Sequence, residues 1–166
     1  MKDKIFKRAN ALLTAQGTLR LMLDNTDDCI VSKKALIIGF GDVGQTLADT
    51  LRNNGLEVYI TARNKRKLSL ASMSGYKTIA LSSLRSCIYL FDYIFGTVPA
   101  NILDCDDIKN IKSECTYIEL ASPPFTAKEA DFKALSKTYI GGSALPGRYL
   151  SFASGKLLAD FILSNI

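Results

Sequence analysis

Apolar residues along this chain fall into two kinds of run. Short dense ones, near Ala35–Ile38, Glu57–Thr61, Tyr76–Ala80, Phe91–Thr97, Tyr117–Ala121 and Thr138–Ile140, are rich in Ile, Val, Tyr and Phe and predict six strands. Between them apolar positions recur at helical spacing. From Asn10 to Asn25, Leu12, Leu13, Leu19, Met22 and Leu23 predict an amphipathic helix with Gly17 as a weak spot, stopped by Asn25-Thr26-Asp27-Asp28. Val43 to Arg52 predicts a second helix with Gly55 as its C-terminal stop, and Lys65 to Met73 a third. Ser82-Ser83 caps a brief turn carrying Leu84, and Ile102 to Ile111 reads as a helix or turn. Thr126 to Leu135 is helical with Thr126 and Glu129 in capping-box spacing, and Leu150, Leu157, Leu158, Phe161 and Ile162 predict a closing amphipathic helix after Pro146-Gly147. Pro99 and Pro123-Pro124 end the fourth and fifth strands, since proline cannot donate to a sheet ladder.

Strand and helix alternate in the order that a doubly wound parallel sheet requires, so the fold expected is α/β of the Rossmann type. Its strand order would be 3-2-1-4-5-6, with an N-terminal helix leading into the first strand and a C-terminal closing helix. A chain of 166 residues, 48% hydrophobic, can bury one such core and little more. We therefore expect a polar segment at residues 1–9 followed by a single domain at 10–166.

One turn carries chemistry. Lys34-Ala35-Leu36-Ile37-Ile38 runs into Gly39-Phe40-Gly41-Asp42-Val43-Gly44, and Leu47, Ala48 and Leu51 follow at helical spacing. Gly-x-Gly-x-x-Gly between a buried strand and a helix is the arrangement that lets a backbone approach a pyrophosphate at a helix N-terminus. These six residues are candidate dinucleotide contacts.

The second strand bears on which dinucleotide. Sites that prefer NAD place an acidic residue about 20 residues beyond the glycines, on the adenine ribose. Here the position is filled by Thr61-Ala62-Arg63-Asn64-Lys65-Arg66. Thr61 can bond a ribose hydroxyl or phosphate oxygen, and Arg63 offers a bidentate fork to a 2′-phosphate. We read Thr61, Ala62, Arg63, Lys65 and Arg66 as the segment that favours NADP, with NAD also possible. By the rule that ligands sit at strand carboxyl ends, Thr97, Val98 and Pro99 after the fourth strand and Ala121 and Ser122 after the fifth face the nicotinamide half.

The remaining composition narrows the chemistry. Twenty-one Lys and Arg against sixteen Asp and Glu give a net charge of +5. Lys2, Lys4, Lys7 and Arg8 cluster in the polar N-terminal segment and Arg63, Lys65, Arg66 and Lys67 after the second strand, not along a periodic face, so nucleic acid is not expected. Cys29, Cys87, Cys105 and Cys115 lack the close spacing of a zinc or redox site, and Cys29, Cys105 and Cys115 are read as packing residues. Asp104, Asp106 and Asp107 lack the glycine and terminal Glu of a calcium loop and are assigned to solvated surface; no metal is expected. Phe91, Tyr93 and Phe95 are assigned to the core. No signal peptide or membrane span is visible, so a soluble, cytoplasmic chain is expected. Histidine is absent. Any general acid or base must be Lys, Asp, Glu, Tyr, water or a group contributed by another polypeptide.

With these residues placed, the chain from about Asn10 onward resembles the cofactor-binding part of the family formed by the A-type subunit of dipicolinate synthase. The likeness rests on Asn25-Thr26-Asp27, Gly39-Phe40-Gly41 with Gly44, Thr97-Val98-Pro99 with Ile102-Leu103, Leu120-Ala121-Ser122 and Leu145-Pro146-Gly147. More distantly the chain is similar to the dinucleotide domains of 2-hydroxy-acid dehydrogenases and S-adenosylhomocysteine hydrolase. The resemblance implies a pyridine-nucleotide-linked oxidation of dihydrodipicolinate to dipicolinate, a spore constituent, in company with the flavoprotein-like B-type subunit of dipicolinate synthase. It carries Gly39, Gly41, Gly44, Arg63 and Thr97 to Pro99 as cofactor contacts, with Ser122 and the Leu145-Pro146-Gly147 turn near the substrate. Three departures stand out: the family's N-terminal lobe has only nine residues in its place, its Ala-Pro-Lys-Thr after Leu-Pro-Gly is replaced by Leu150-Ser151-Phe152-Ala153, which loses the cation, and its glycine pair after the fifth strand is Pro124-Phe125.

Three functions are thus set against one another. The first is an NADP-binding oxidoreductase subunit completed by another lobe or by the B-type partner. The second is a non-catalytic nucleotide-binding module, a sensor or a truncated relic. The third is an assembly protein that forms a homodimer through its N-terminal helix.

Overall fold

The computed structural model describes residues 2–164. Six strands form one all-parallel sheet: β1 (Lys34–Ile38), β2 (Glu57–Ala62), β3 (Lys77–Ala80), β4 (Tyr93–Gly96), β5 (Thr116–Glu119) and β6 (Thr138–Gly141), in the order β3-β2-β1-β4-β5-β6. The chain is a Rossmann fold, as its alternation predicts. The order reverses between β1 and β4, and a crevice for ligand opens at such a switch point. Register brings Ile38 beside both Thr61 and Gly96, and Gly96 beside Glu119, so the strand ends line one edge.

The apolar run of β1 is continuous because both of its faces are covered. Ala35 and Ile37 belong to a core with Ala15, Leu21 and Met22 of α1 (Lys2–Leu23) and Leu47, Ala48 and Leu51 of α2 (Asp42–Asn53). Leu36 and Ile38 face the other core, built on Ile94, Tyr117, Phe91 and Phe132. Phe91, Tyr93 and Phe95 are all buried, as expected of them. Two 3₁₀ turns, Leu81–Ser86 and Ile88–Leu90, lie between β3 and β4. The remaining helices are α3 (Lys65–Met73), α4 (Cys105–Lys109), α5 (Glu129–Ala134), α6 (Leu145–Tyr149) and α7 (Ser151–Leu163).

Several local expectations are corrected. The first helix starts at Lys2, not Asn10, so the polar N-terminal segment is helical. Its buried side is Ala11, Ala15, Thr18, Leu21 and Met22, while Leu12 and Leu23 stand about half exposed. Small residues face inward because α1 lies close on its neighbours: a Cβ on Gly17 would stand 2.9 Å from Leu145 Cβ of α6. Gly17 is therefore the contact point of two helices, not a defect.

The Thr126–Glu129 capping box does not form, since α5 begins at Glu129 with Lys128 at its N-cap. A capping box forms instead at Asp104 and Asp107, whose side chains accept each other's backbone amides at 2.9 and 3.1 Å. Asp107 is buried, and Arg85 binds the carboxylates of Asp107 and Asp104 at 2.8 and 2.6 Å, so neither is idle solvated surface. Of the cysteines assigned to packing, Cys115 is buried but Cys29 and Cys105 are exposed, because they fall in a loop and at the outer start of α4. The closing helix is two helices broken at Leu150, and α7 buries no residue fully.

Candidate functional site

The turn after β1 is built by backbone crowding. Gly39 has φ +113°, a conformation that side chains disfavour. Its amide donates to Thr61 O at 2.8 Å, and a Cβ there would lie 2.5 Å from Thr97 Oγ1. A Cβ on Gly44 would lie 2.5 Å from Gly39 O, so α2 rests directly on the turn. Thr97 completes the lock, its hydroxyl donating to Ile38 O at 2.9 Å. Gly41 differs from both. It is the N-cap of α2 with no side-chain cap, and among the described residues the only atom within 4 Å of a Cβ built there is Lys67 Nζ at 3.8 Å. The first amides of α2 are thus left for an acceptor from outside, with the positive end of the helix dipole behind them.

Two cavities flank this turn and meet at Gly41 and Thr97. One, of about 360 Å³, has apolar walls from Ile38, Leu81, Val98, Pro99 and Ile102 and a polar mouth from Arg63, Asn64 and Lys67. Gly39, Phe40 and Ala62 complete it, and no carboxylate lines it. The other, of about 300 Å³, is framed by Asp42, Val43 and Gly44 of α2 and by Phe6, Lys7 and Asn10 of α1. Among the described residues, neither Arg63 nor Lys67 forms an ion pair. Asn64 caps α3, its Oδ1 accepting from the Arg66 and Lys67 amides at 2.9 and 3.4 Å, and this sets Lys67 over the glycine turn.

The turn residues 39–44, Ala62, Arg63 and Thr97 to Pro99 are therefore brought together. Thr61, Lys65, Arg66, Ala121 and Ser122 line neither cavity. Thr61 is fully buried in β2, where its carbonyl receives the Gly39 amide and its hydroxyl has no partner. Sequence reasoning passed over Asn64, Lys67, Leu81, Ile102, Lys7 and Asn10. For Asn64 a signal existed, since Asn before a helix is a preferred cap. Lys7 and Asn10 gave none, because only the tertiary docking of α1 carries them to the cavity.

Beneath the loops after β4 and β5 lies Glu119, 3% exposed. Its carboxylate accepts from Tyr117 Oη at 2.8 Å and from the Ala121 and Ala127 amides at 3.0 and 3.1 Å. Burial pushes the Glu119 carboxyl above its ordinary range, against the opposing pull of those hydrogen bonds. Burial, with the neighbouring carboxylate, likewise raises the Tyr117 phenol. Among the described residues no helix is long and apolar enough to cross a membrane, and no group of three or more His, Cys, Asp or Glu could hold a metal.

A parallel sheet reversing at β1/β4, a glycine turn seating an uncapped helix, and a cavity on either side define a dinucleotide-binding domain of the dehydrogenase kind. The family model for the NAD binding domain of S-adenosyl-L-homocysteine hydrolase matches residues 11–143, and the chain belongs to that family. Over nearly its whole length it is also similar to the A-type subunit of dipicolinate synthase from Bacillus subtilis, at 27% identity across 98% of this chain and 56% of the relative. The crystal structure of the same subunit from Bacillus halodurans superposes with a TM-score of 0.90 at 23% identity, covering 99% of this chain and 56% of that one. The transhydrogenase of Sinorhizobium meliloti shares the fold with a TM-score of 0.80 at 15% identity, covering 96% of this chain and 54% of that one. The chain spans about half the length of these relatives.

Proposed function

We propose that this chain is the NADP-binding part of an oxidoreductase of the dipicolinate synthase kind, removing hydride from a dihydrodipicolinate-like substrate in a cleft that another lobe or polypeptide completes. The observation that carries the cofactor choice is the mouth of the larger cavity, where Arg63, Asn64 and Lys67 stand with no carboxylate among the lining residues. A carboxylate there would accept from ribose hydroxyls and repel a 2′-phosphate; a guanidinium and an ammonium do the opposite. In this reading Ile38, Leu81 and Ile102 enclose the adenine, and Arg63 and Lys67 hold the 2′-phosphate. Gly41 and the α2 amides take the pyrophosphate, which leads toward the second cavity beside Lys7 and Asn10.

The residues fit such a group: Gly41 is open where a backbone must approach phosphate, and the walls around Ile102 are apolar where a base must be buried. When bound, the nicotinamide ring supplies hydride acceptance and return. The chain's own part is to bind, to orient and to shed water. The similarity to the A-type subunit of dipicolinate synthase supports the substrate class. This chain has no histidine, so the proton released alongside the hydride passes to another kind of side chain here, to a group of the completing lobe or polypeptide, or to water.

Calorimetric titration with NADPH and NADH tests the reading. Wild type should bind NADPH more tightly, and Arg63→Gln should lose about tenfold or more for NADPH, the scale of one charge-assisted hydrogen bond, with little change for NADH. Equal affinities for the two cofactors in wild type, or equal losses in the variant, would refute the specificity. Oxidation of dihydrodipicolinate coupled to NADP reduction, assayed with and without a B-type partner, tests the reaction. Light scattering tests the further expectation of a homodimer through α1.

A further inference from the structure

We propose that Glu119 and Thr126 form a positioning relay that holds the cavity wall opposite Arg63, fixing Val98, Pro99 and Ile102 for the dinucleotide. The inference rests on reading this cavity as the dinucleotide site, and it assigns work to a buried carboxylate and a buried hydroxyl that binding itself does not use.

Thr126 is fully buried between two loops. Its hydroxyl donates to Val98 O at 2.8 Å and accepts from Val98 N at 3.2 Å. Its own carbonyl accepts from the amides of Ile102 at 2.8 Å and Leu103 at 3.2 Å. One residue therefore fastens both ends of the segment that carries Val98, Pro99 and Ile102. The segment belongs to no strand or helix, since β4 ends at Gly96 and α4 starts at Cys105, and beyond the Thr97 bonds to Ile38 O its ties to the next loop run through Thr126.

Thr126 is itself held from below. Glu119 Oε1 accepts from Ala121 N and Oε2 from Ala127 N, so one carboxylate ties down both ends of the loop on which Thr126 sits. Tyr117 Oη adds a third donor. Space for the pair exists because residue 96 is glycine: a Cβ there would overlap the Tyr117 hydroxyl and stand 2.7 Å from Glu119 Oε1. These three groups are all donors, and the Thr126 hydroxyl also interacts with the carboxylate. A glutamine would turn an NH2 toward at least one of them, leaving a buried donor facing a donor.

Two consequences follow. Thr126→Val keeps the shape but leaves the Val98 amide without its acceptor and the Val98 carbonyl with only the Ala100 amide at 2.8 Å, whereas Thr126→Ser keeps both bonds. Glu119→Gln loosens the lower tie without substituting any cavity-lining residue. Neither changes a group that touches the ligand.

The test is NADPH titration of the full chain as wild type, Thr126→Val, Thr126→Ser and Glu119→Gln, with amide hydrogen exchange of residues 97–103 in the unliganded proteins. Thr126→Val should bind NADPH about tenfold more weakly, the scale of one or two lost buried hydrogen bonds, and Thr126→Ser should restore wild-type affinity. Exchange at Val98 and Ile102 should speed up in Glu119→Gln and Thr126→Val and stay slow in Thr126→Ser. Unchanged NADPH affinity in a folded Thr126→Val, or a Thr126→Ser that loses as much as the valine, overturns the proposal. Should Thr126→Val fail to fold, unchanged exchange at Val98 in Glu119→Gln overturns it alone. Wild type that binds no NADPH defeats the dinucleotide reading instead, a result the exchange measurement keeps separate.

Discussion

Replacing Gly41 and Gly44 by alanine should separate folding from ligand binding, because the two glycines are required for different reasons. At Gly44 the added Cβ lies 2.5 Å from Gly39 O and 3.1 Å from Gly39 C, both backbone atoms held by the Thr61 carbonyl and the Thr97 side chain. Nothing flexible can give way, so α2 must lift off the turn. Overpacking of this kind costs about 1–3 kcal/mol. At Gly41 the Cβ meets only Lys67 Nζ at 3.8 Å, and its φ of −88° and ψ of −166° are open to alanine. Loss of glycine's unfolded-state freedom favours alanine by about 0.4–1 kcal/mol, and the poorer N-cap costs about 0.5–1 kcal/mol, so the net change is near zero. Urea unfolding should therefore find Gly41→Ala within about 0.5 kcal/mol of wild type and Gly44→Ala less stable by about 1–3 kcal/mol. Titration with NADPH should find Gly41→Ala crippled regardless, since its methyl occupies the approach of the pyrophosphate to the α2 amides. A Gly41→Ala protein that binds NADPH as wild type does would refute the claim that phosphate passes over that residue.

Other perturbations follow from the same contacts. Asp92 joins the start of β1 to the loop before β5, accepting from Lys34 N at 2.7 Å and Lys112 Nζ at 2.6 Å while only 24% exposed, so Asp92→Ala should cost about 1.5–3 kcal/mol in urea unfolding. That cost should depend on pH: burial raises the Asp92 carboxyl, but the bonds from Lys112 and Lys34 win and hold it below its ordinary 3.8. Its contribution is therefore full above that value and is lost as pH falls through the folded pKa, so the wild-type advantage over Asp92→Ala should shrink toward pH 3, and an advantage that grows would contradict the assignment. Glu119 acts with the opposite sign, its raised pKa making the fold less stable as pH climbs above the ordinary 4.5. Arg85 fastens the turn bearing Leu81 to Asp104 and Asp107 beside Ile102, so Arg85→Met should weaken NADPH binding by a few-fold in the same titration, with equal loss for 2′,5′-ADP because the adenosine half is affected.

Much of this architecture was legible in the chain because a few segments admit one reading. The run into Gly39, the helix that follows and the strand ending at Thr61 each combine periodicity with a stop signal, and parallel order then follows from alternation. Signals that depend on distant partners were not legible. Thr126 and Glu129 have the spacing of a capping box, yet the threonine hydroxyl turns to Val98, 28 residues away. Asp104 and Asp107 look like any exposed acidic pair until Arg85 is folded against them. Gly17 lowers helix propensity, and only the crossing of α6 at Leu145 gives it a use. In α1 the apolar stripe was legible only in part: Met22 is buried and Leu19 packs on the core, but Leu12 and Leu23 are exposed, and Ala11, Ala15 and Thr18 line the closer interface. The cation cluster illustrates both outcomes. Arg63 was recognisable from its distance to the glycines, whereas the choice of Lys67 over Lys65 and Arg66 depends on the helical phase that the Asn64 cap establishes.

A crystal structure of the chain grown with NADPH tests the central claim most directly. Density is expected for the pyrophosphate over Gly41 at the N-terminus of α2, for the adenine between Ile38 and Ile102, and for the 2′-phosphate within hydrogen-bonding reach of Arg63 or Lys67. NADPH seated elsewhere, or absent from this cleft at saturating concentration, would contradict it.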